Sequence, residues 1–106
     1  CLLLYPKKIW LKIEKTIMAL PSLDKSSRIL QRLMVGHASE LAVDSHNRIL
    51  VPLELREFSG INKSAMLIGQ GQRFEIWNYD SWTKSRDSWL KKNDLTLTEQ
   101  LREISI

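Results

Sequence analysis

Five consecutive residues in the middle of the chain, Asp44-Ser45-His46-Asn47-Arg48, have the types and spacing best suited to chemistry. The carboxylate of Asp44 can accept hydrogen bonds from backbone amides two residues on, which makes a tight turn. Asn47 is the non-glycine residue type that best tolerates the left-handed conformation. Arg48 would leave this turn at the start of a strand, where its guanidinium can reach a phosphate or a guanine edge. Spacing alone favours the simpler alternative that Asp44 and Arg48 pair with each other and brace the loop.

Other arrangements that could support catalysis are weak. His37 and His46 are nine residues apart, and no second cysteine or suitably spaced carboxylate completes a metal site. Ser39, Asp44 and His46 could be written as a hydrolytic triad, but neighbouring strand and turn residues would not form the required relay. The Gly69-Gln70-Gly71 stretch is too short for a phosphate loop and lies between strands. The sequence therefore predicts no enzyme, no metal and no cofactor.

The tryptophans admit two interpretations. Trp77, Trp82 and Trp89 could stack on bases. Their positions, at the end of an apolar strand and seven residues apart on a helix, fit packing in a core better. Trp10 is expected to pack in the same way.

Composition and charge narrow the class of protein. The chain has 106 residues, 43% hydrophobic and 26% charged, which is typical of a globular domain. Its net charge is +4, and residues 1–36 hold seven Lys/Arg against two acidic residues. Such a balance permits a nucleic-acid partner, although a basic helix is more often simply solvated. No apolar stretch is long enough to span a membrane. The single cysteine, Cys1, lies beside leucines and is expected to be a buried, inert thiol.

Periodicity predicts helices in the first third of the chain. A short strand over residues 2–5 ends at Pro6, which suits the first turn of a helix. The next helix ends at Pro21, and its apolar side chains recur every three or four residues: Ile9, Trp10, Ile13, Ile17 and Leu20. Asp24 is a plausible N-cap for a second helix, which Gly36 closes.

Strand patterns then take over, so the predicted fold class is α+β. Residues 37–43 and 48–51 are predicted strands around the 44–47 turn, followed by a short helix over 52–58 that stops at Gly60. Residues 65–68 and 74–77 predict a hairpin around a glycine turn. Two further helices complete the prediction: one capped by Asp80, with Trp82 and Trp89 on one face, and a last one carrying Leu97, Leu101 and Ile104.

The chain also contains an internal repeat. A shift of 72 positions places residues 1–12 on residues 73–84, so that Tyr5 meets Trp77, Trp10 meets Trp82 and Lys12 meets Lys84. The order of strand, aromatic, turn and Trp-bearing helix thus occurs twice. The second copy is preceded by about 36 residues of hairpin and short helix, so we expect a matching segment before Cys1.

Several stretches together carry a resemblance to a known family. The sequence resembles the MraZ family of bacterial transcriptional regulators, in the AbrB-like (SpoVT-AbrB) superfamily, over nearly the whole chain. The family often has Gly just before the arginine of its Asp-x-x-x-Arg motif, where Asn47 stands here. The matching stretches are Cys1-Leu2-Leu3-Leu4-Tyr5-Pro6 with Trp10, Gln31-Arg32-Leu33-Met34-Val35-Gly36-His37-Ala38-Ser39-Glu40, Asp44-x-x-x-Arg48, Met66-Leu67-Ile68-Gly69-Gln70, Phe74-Glu75-Ile76-Trp77 and the Leu-x-x-x-Leu-Arg-Glu-Ile ending.

The resemblance implies a fold and its division along the chain. The fold would be an AbrB-like swapped-hairpin β-barrel module flanked by helix pairs. Residues 1–5 would be the last strand of a truncated first module, 6–36 a two-helix connector, 37–79 the second SpoVT-AbrB module and 80–106 the C-terminal helices. A half of this kind has unpaired strand edges and an uncovered apolar face, so it needs a partner.

The resemblance also implies a function. The protein would be a cytoplasmic, nucleoid-associated homo-oligomeric ring that binds double-stranded DNA at repeated short promoter elements of the division and cell-wall gene cluster. Neither a membrane nor a small-molecule substrate is expected. Arg48 would be the principal DNA contact, positioned by Asp44, with Asn47 and His46 setting its reach. The lower-ranked candidates are the exposed basic residues Arg56, Lys63 and Arg73, of which Lys63 and Arg73 would cluster near Arg48.

Two alternatives come from other classes of protein. In one, the motif is structural and this part of the chain serves ring assembly without binding DNA. In the other, the chain is a small β-module enzyme, which the absence of a site constellation disfavours.

Overall fold

The computed structural model describes residues 1–92 and residue 103, and the predicted last helix with Leu97, Leu101 and Ile104 lies largely outside them. The elements confirm the mixed α+β class. In chain order they are β1 (Leu2–Leu4), α1 (Lys7–Met18), α2 (Lys25–Leu30), which continues as a π-helical turn (Gln31–Val35), α3 (Leu53–Ser59), β2 (Ala65–Gln70), β3 (Arg73–Asn78) and α4 (Tyr79–Lys92).

The three strands form one antiparallel sheet in the order β1-β3-β2. β2 and β3 make the predicted hairpin, with Ala65 opposite Asn78 and Gln70 opposite Arg73. Gly71 has a φ of 70°, so the tight turn between the strands needs a residue without a Cβ clash. β1 pairs with the other edge of β3, Leu2 opposite Ile76 and Leu4 opposite Phe74.

The two copies of the sequence repeat have similar local structures. Each is a strand that leads through an aromatic residue into a helix. Tyr5 packs on Trp10 with ring centroids 5.8 Å apart, and Trp77 packs on Trp82 at 5.6 Å. Because β1 and β3 are antiparallel neighbours, the repeated units lie side by side and run in opposite directions.

Two local signals define helices α1 and α2. Asp24 caps α2 as predicted, since its carboxylate accepts hydrogen bonds from the backbone amide of Ser26 and the hydroxyl of Ser27. α1 ends at Met18, earlier than predicted, because the residue before Pro21 is disfavoured in a helical conformation. The side-chain amide of Gln31 then donates to the carbonyl oxygen of Ile17 at 3.1 Å, which ties the two helices together.

Three predictions about local structure are wrong. Residues 37–43 and 48–51 form no strand with any described part of the chain, because a strand requires a partner and only the Asp44 amide bonds across the turn, to the Arg48 carbonyl. The cap of α4 is Asn78 instead of Asp80, since the Asn78 side-chain oxygen accepts from the amide of Ser81 at 3.0 Å. Cys1 is exposed, at the end of the edge strand β1.

Very little apolar surface is buried within residues 1–92. Ile17 on α1 and Ile76 in the centre of the sheet are the two buried apolar side chains of this part. Large apolar side chains elsewhere stay in contact with solvent, among them Leu50 at 79% and Phe58 at 78% exposed. Among the described strands, β1 and β2 are the sheet edges. Open sheet edges and exposed apolar side chains of this kind are typical of surfaces that pair with another strand or pack against another chain.

Candidate nucleic-acid interface

The turn at residues 44–48 is built by the carboxylate of Asp44. Its Oδ1 accepts hydrogen bonds from the backbone amides of His46 at 2.8 Å and Arg48 at 2.9 Å. Two backbone bonds close the same loop: the amide of Asn47 donates to the Asp44 carbonyl, and the amide of Asp44 donates to the Arg48 carbonyl. The predicted Asp44 turn is confirmed. Its carboxylate also accepts from the amide of Arg48, a hydrogen bond that spacing alone did not identify.

Asn47 takes the left-handed conformation that its residue type predicts. Its φ is 60°, and it is the non-glycine residue of the described chain with a positive φ. This conformation reverses the backbone between His46 and Arg48, which fixes the direction in which Arg48 leaves the turn.

The guanidinium of Arg48 is hydrogen-bonded to Asp44 and is also exposed to solvent. Its Nε donates to Oδ2 of Asp44 at 3.1 Å, so the pairing that spacing favoured does form. The side chain nevertheless remains 70% exposed. Nη2 lies 3.4 Å from Nδ1 of His46, a long contact in which the arginine donates when that nitrogen carries no proton. These contacts therefore use the Nε and Nη2 edge of the guanidinium and leave Nη1 without a hydrogen-bond partner among the described residues.

The same hydrogen bonds set the acidity of Asp44. The backbone amide of Arg48, then that of His46, lower the pKa of Asp44 below its ordinary value, and the Arg48 side chain adds to the effect. The carboxylate stays ionised over the physiological range and holds the turn throughout it. An ionised carboxylate repels phosphate, so Asp44 is unsuited to a direct phosphate contact and is better suited to positioning Arg48.

The other basic candidates differ in how far neighbouring side chains engage them. Arg73 donates through Nη1 to the hydroxyl of Tyr5 at 3.2 Å and through Nε to Gln70 at 3.3 Å. The bond to Tyr5 raises the pKa of Arg73 and fixes its guanidinium against the sheet. Lys63 and Arg56 are exposed, the first just before β2 and the second on α3.

The predicted clustering of Lys63 with Arg73 is wrong. Lys63 precedes the Ala65 end of the hairpin, whereas Arg73 pairs with Gln70 at the other end. At about 3.4 Å per strand residue, the length of β2 alone separates them by about 17 Å.

A contact that sequence reasoning missed ties the turn segment to α1. The ammonium of Lys7 lies 2.8 Å from Oε1 of Glu40, four residues before Asp44. The hydrogen bond and the negative charge of Glu40 raise the pKa of Lys7. No short-range pattern joins residues 33 positions apart, so only the folded chain reveals this pair.

The tryptophans meet as expected but are only partly covered. Trp77, Trp82 and Trp89 contact one another edge to face, with centroids 5.6–6.3 Å apart. Trp89 remains 52% exposed on α4. Edge-to-face packing occupies their ring faces with each other, which favours the packing role over base stacking.

Within residues 1–92 and residue 103, no three His, Cys, Asp or Glu side chains converge as metal ligands would. In the same residues no helix has the length and apolar character needed to cross a bilayer.

Comparisons with known proteins point to one family. The profile described as "MraZ protein, putative antitoxin-like" matches residues 34–102. A protein named "Transcriptional regulator MraZ" from Thioalkalivibrio sulfidiphilus is 49% identical over 96 residues, 91% of this chain and 64% of that protein. Proteins of the same name from Halorhodospira halophila and Coxiella burnetii are 47% and 42% identical, over 87% and 100% of this chain. The chain spans 60% of the Halorhodospira protein and 72% of the Coxiella protein.

Proposed function

Because this chain belongs to the MraZ family, we propose that it is part of a transcriptional regulator that binds double-stranded DNA through Arg48. The single observation that supports this most is the state of the Arg48 side chain. It is braced at Nε by Asp44 and still 70% exposed. A guanidinium held in this way has lost conformational freedom before binding, and its free nitrogens can donate to a phosphate or to the acceptors of guanine.

The neighbouring residues have supporting roles in this proposal. Asp44 positions Arg48, Asn47 turns the backbone, and His46 packs beside the guanidinium. Exposed Lys63 and Arg56 add long-range attraction for phosphate. Arg73 contributes less, because its guanidinium is already engaged by Tyr5 and Gln70.

The proposed architecture is an AbrB-like swapped-hairpin barrel repeated in the protein and assembled into a ring. Residues 37–79 would form one module, residues 1–5 the last strand of another, residues 6–36 the connector and residues 80–106 the C-terminal helices. Support comes from the edge strands β1 and β2, the exposed Leu50 and Phe58, and the similar local structures of the two repeat copies.

The proposed targets are repeated short promoter elements of the division and cell-wall gene cluster, read by a cytoplasmic, nucleoid-associated regulator. A ring presents several copies of Arg48 to several repeats at once. The copies bind with a high effective concentration, so a modest contact at each turn can give a stable complex.

The test is an Arg48→Ala substitution assayed by fluorescence anisotropy on duplex DNA carrying the promoter repeats. Loss of one arginine contact costs about 1–3 kcal/mol per site, so the affinity of each site should fall about 5- to 150-fold. The slope of log affinity against log salt should become shallower. Arg86→Ala is the matched control, because Arg86 is also exposed and paired with a neighbouring carboxylate, Asp87.

A second candidate, an assembly module without DNA affinity, is favoured by the open sheet edges and the exposed apolar side chains. Mass and DNA binding measured on one sample separate the two candidates. A ring that binds no duplex would support the assembly module and overturn the DNA-binding role of Arg48.

A further inference from the structure

Three lysines form a single face of α1. Lys8, Lys12 and Lys15 are four and three residues apart, so their side chains project in nearly the same direction. This face is opposite Ile17, the residue that α1 buries. All three lysines are exposed, and no carboxylate of residues 1–92 forms an ion pair with any of them. We call Lys8, Lys12 and Lys15 the lysine face.

The positive charge of this face is not a general requirement of the fold. The 72-residue repeat places α4 in the position that α1 has in the other copy. The residues of α4 that correspond to the lysine face are Asp80, Lys84 and Asp87. The equivalent face of α4 is therefore exposed to solvent with a net negative charge. Because an exposed face at this place in the repeat does not need positive charge, solvent exposure alone does not explain the three lysines on α1.

The lysine face is attached close to the Arg48 turn. Lys7, next to Lys8, is ion-paired with Glu40 at 2.8 Å. Glu40 is four positions before Asp44, so their Cα atoms are at most about 14 Å apart. The Asp44 amide is bonded to the Arg48 carbonyl. The start of α1 and the turn thus lie within the span of a single DNA-binding module.

We propose that the lysine face is a second, sequence-independent DNA contact that binds phosphate groups flanking the site of Arg48. This rests on the proposed function of the turn. From Lys8 to Lys15 the helix advances about 10 Å, which matches about three phosphates of one strand at an axial spacing of about 3.4 Å. Flexible ammonium groups suit this role, since they bind phosphate as point charges without reading bases.

A second copy of the chain is a less suitable partner for this face. The helix that offers the corresponding carboxylates, α4, carries two acidic residues against four basic ones. Its net charge is positive, so a contact between the lysine face and α4 of another copy would be repulsive overall. Duplex DNA supplies the uniform negative charge that the lysine face complements.

The test compares two triple substitutions in the full chain. Lys8→Gln, Lys12→Gln and Lys15→Gln together neutralise the lysine face. Lys25→Gln, Arg86→Gln and Lys91→Gln remove the same charge from exposed positions elsewhere on the described helices and form the control. Anisotropy is measured from 50 to 200 mM salt on the promoter-repeat duplex and on a scrambled duplex of equal length. Circular dichroism and mass verify folding and assembly.

The expected result is a loss of affinity for both duplexes with the ratio between them unchanged. The magnitude of the salt slope should fall by about 0.9 for each lysine that contacts a phosphate. A slope equal to that of the control triple would overturn the lysine-face proposal and leave Arg48 as the contact. A changed mass with an unchanged slope would assign the face to assembly and also overturn it. Wild-type protein that binds neither duplex would overturn the proposed function and this inference with it.

Discussion

At the scale of single residues, the proposed DNA contact depends on how Asp44 and Arg48 share their hydrogen bonds. Oδ1 of Asp44 is occupied by two backbone amides and Oδ2 by the Nε of Arg48. The ion pair with Asp44 fixes the direction of the Arg48 side chain. Because the pair uses only one edge of the guanidinium, the rest of the group can still bind another partner. Bracing and DNA contact are therefore compatible roles of one residue.

Position 47 tests the geometry of the turn directly. Asn47→Gly should keep the turn and nearly full DNA affinity, because glycine adopts a φ of 60° without a Cβ penalty. Asn47→Val should cost about 1–2 kcal/mol in the turn and weaken DNA binding, since a β-branched residue is strained there. Anisotropy on both variants checks this, and equal affinity for valine and glycine would contradict it.

The acidity of Asp44 predicts a pH dependence with a definite sign. Because the folded-state pKa of Asp44 is lowered, the stability it contributes is present above the ordinary aspartate pKa and is lost as pH falls through the lowered value. An NMR titration of the Asp44 side chain should therefore have its midpoint below that of an unstructured aspartate.

The amides of His46 and Arg48 should shift with the same midpoint, since both donate to this carboxylate. Asp44→Asn is the control, because it keeps an acceptor oxygen and removes the titration. A midpoint at or above the ordinary value would show that these bonds do not form in solution.

At the scale of elements, the backbone of Gly36 lies close to the carbonyl of Arg32 at the end of the π-helical turn. Gly36 has a φ of −63° with ψ of −29°, so its backbone suits any residue. A Cβ at this position would nevertheless lie 2.5 Å from the carbonyl oxygen of Arg32. The Arg32 carbonyl, which lies in the π-helical turn over Gln31–Val35, leaves no room for a Cβ. Gly36 is therefore required for space and not for a left-handed conformation.

Gly36→Ala should therefore destabilise the protein by about 1–3 kcal/mol, since backbone must move to relieve the contact. The control is Gly69→Ala, whose added Cβ would meet Phe74 at an ordinary 3.5 Å. The free energy of unfolding of both variants and the wild type is measured by urea unfolding. A Gly36→Ala protein as stable as the wild type would show that the π-helical turn relaxes without cost.

At the scale of the whole molecule, sequence predicted the elements whose signals are local. Asp24, Gly60 and Gly71 mark a helix start, a helix end and a hairpin turn through their own backbone preferences, and all three are confirmed. The turn at 44–48 was predicted for the same reason. Each of these features depends on residues within a few positions of one another.

The failures depend on partners distant in the sequence. Residues 37–43 and 48–51 have strand-like patterns, but no described strand pairs with them. Asn78 and Asp80 are both good capping residues, and only the geometry of the β3–α4 junction selects Asn78. The Lys7–Glu40 pair joins distant segments, so no pattern along the chain could have found it.

The most direct test of Arg48 as the DNA contact compares Arg48→Ala with wild-type protein for mass and for affinity to the promoter-repeat duplex on the same samples. If Arg48 is the DNA contact, the two proteins have equal masses, and the variant has an affinity about 5- to 150-fold lower per site and a shallower salt dependence. Equal affinity of the two proteins at every salt concentration would contradict the assignment of Arg48 as the DNA contact.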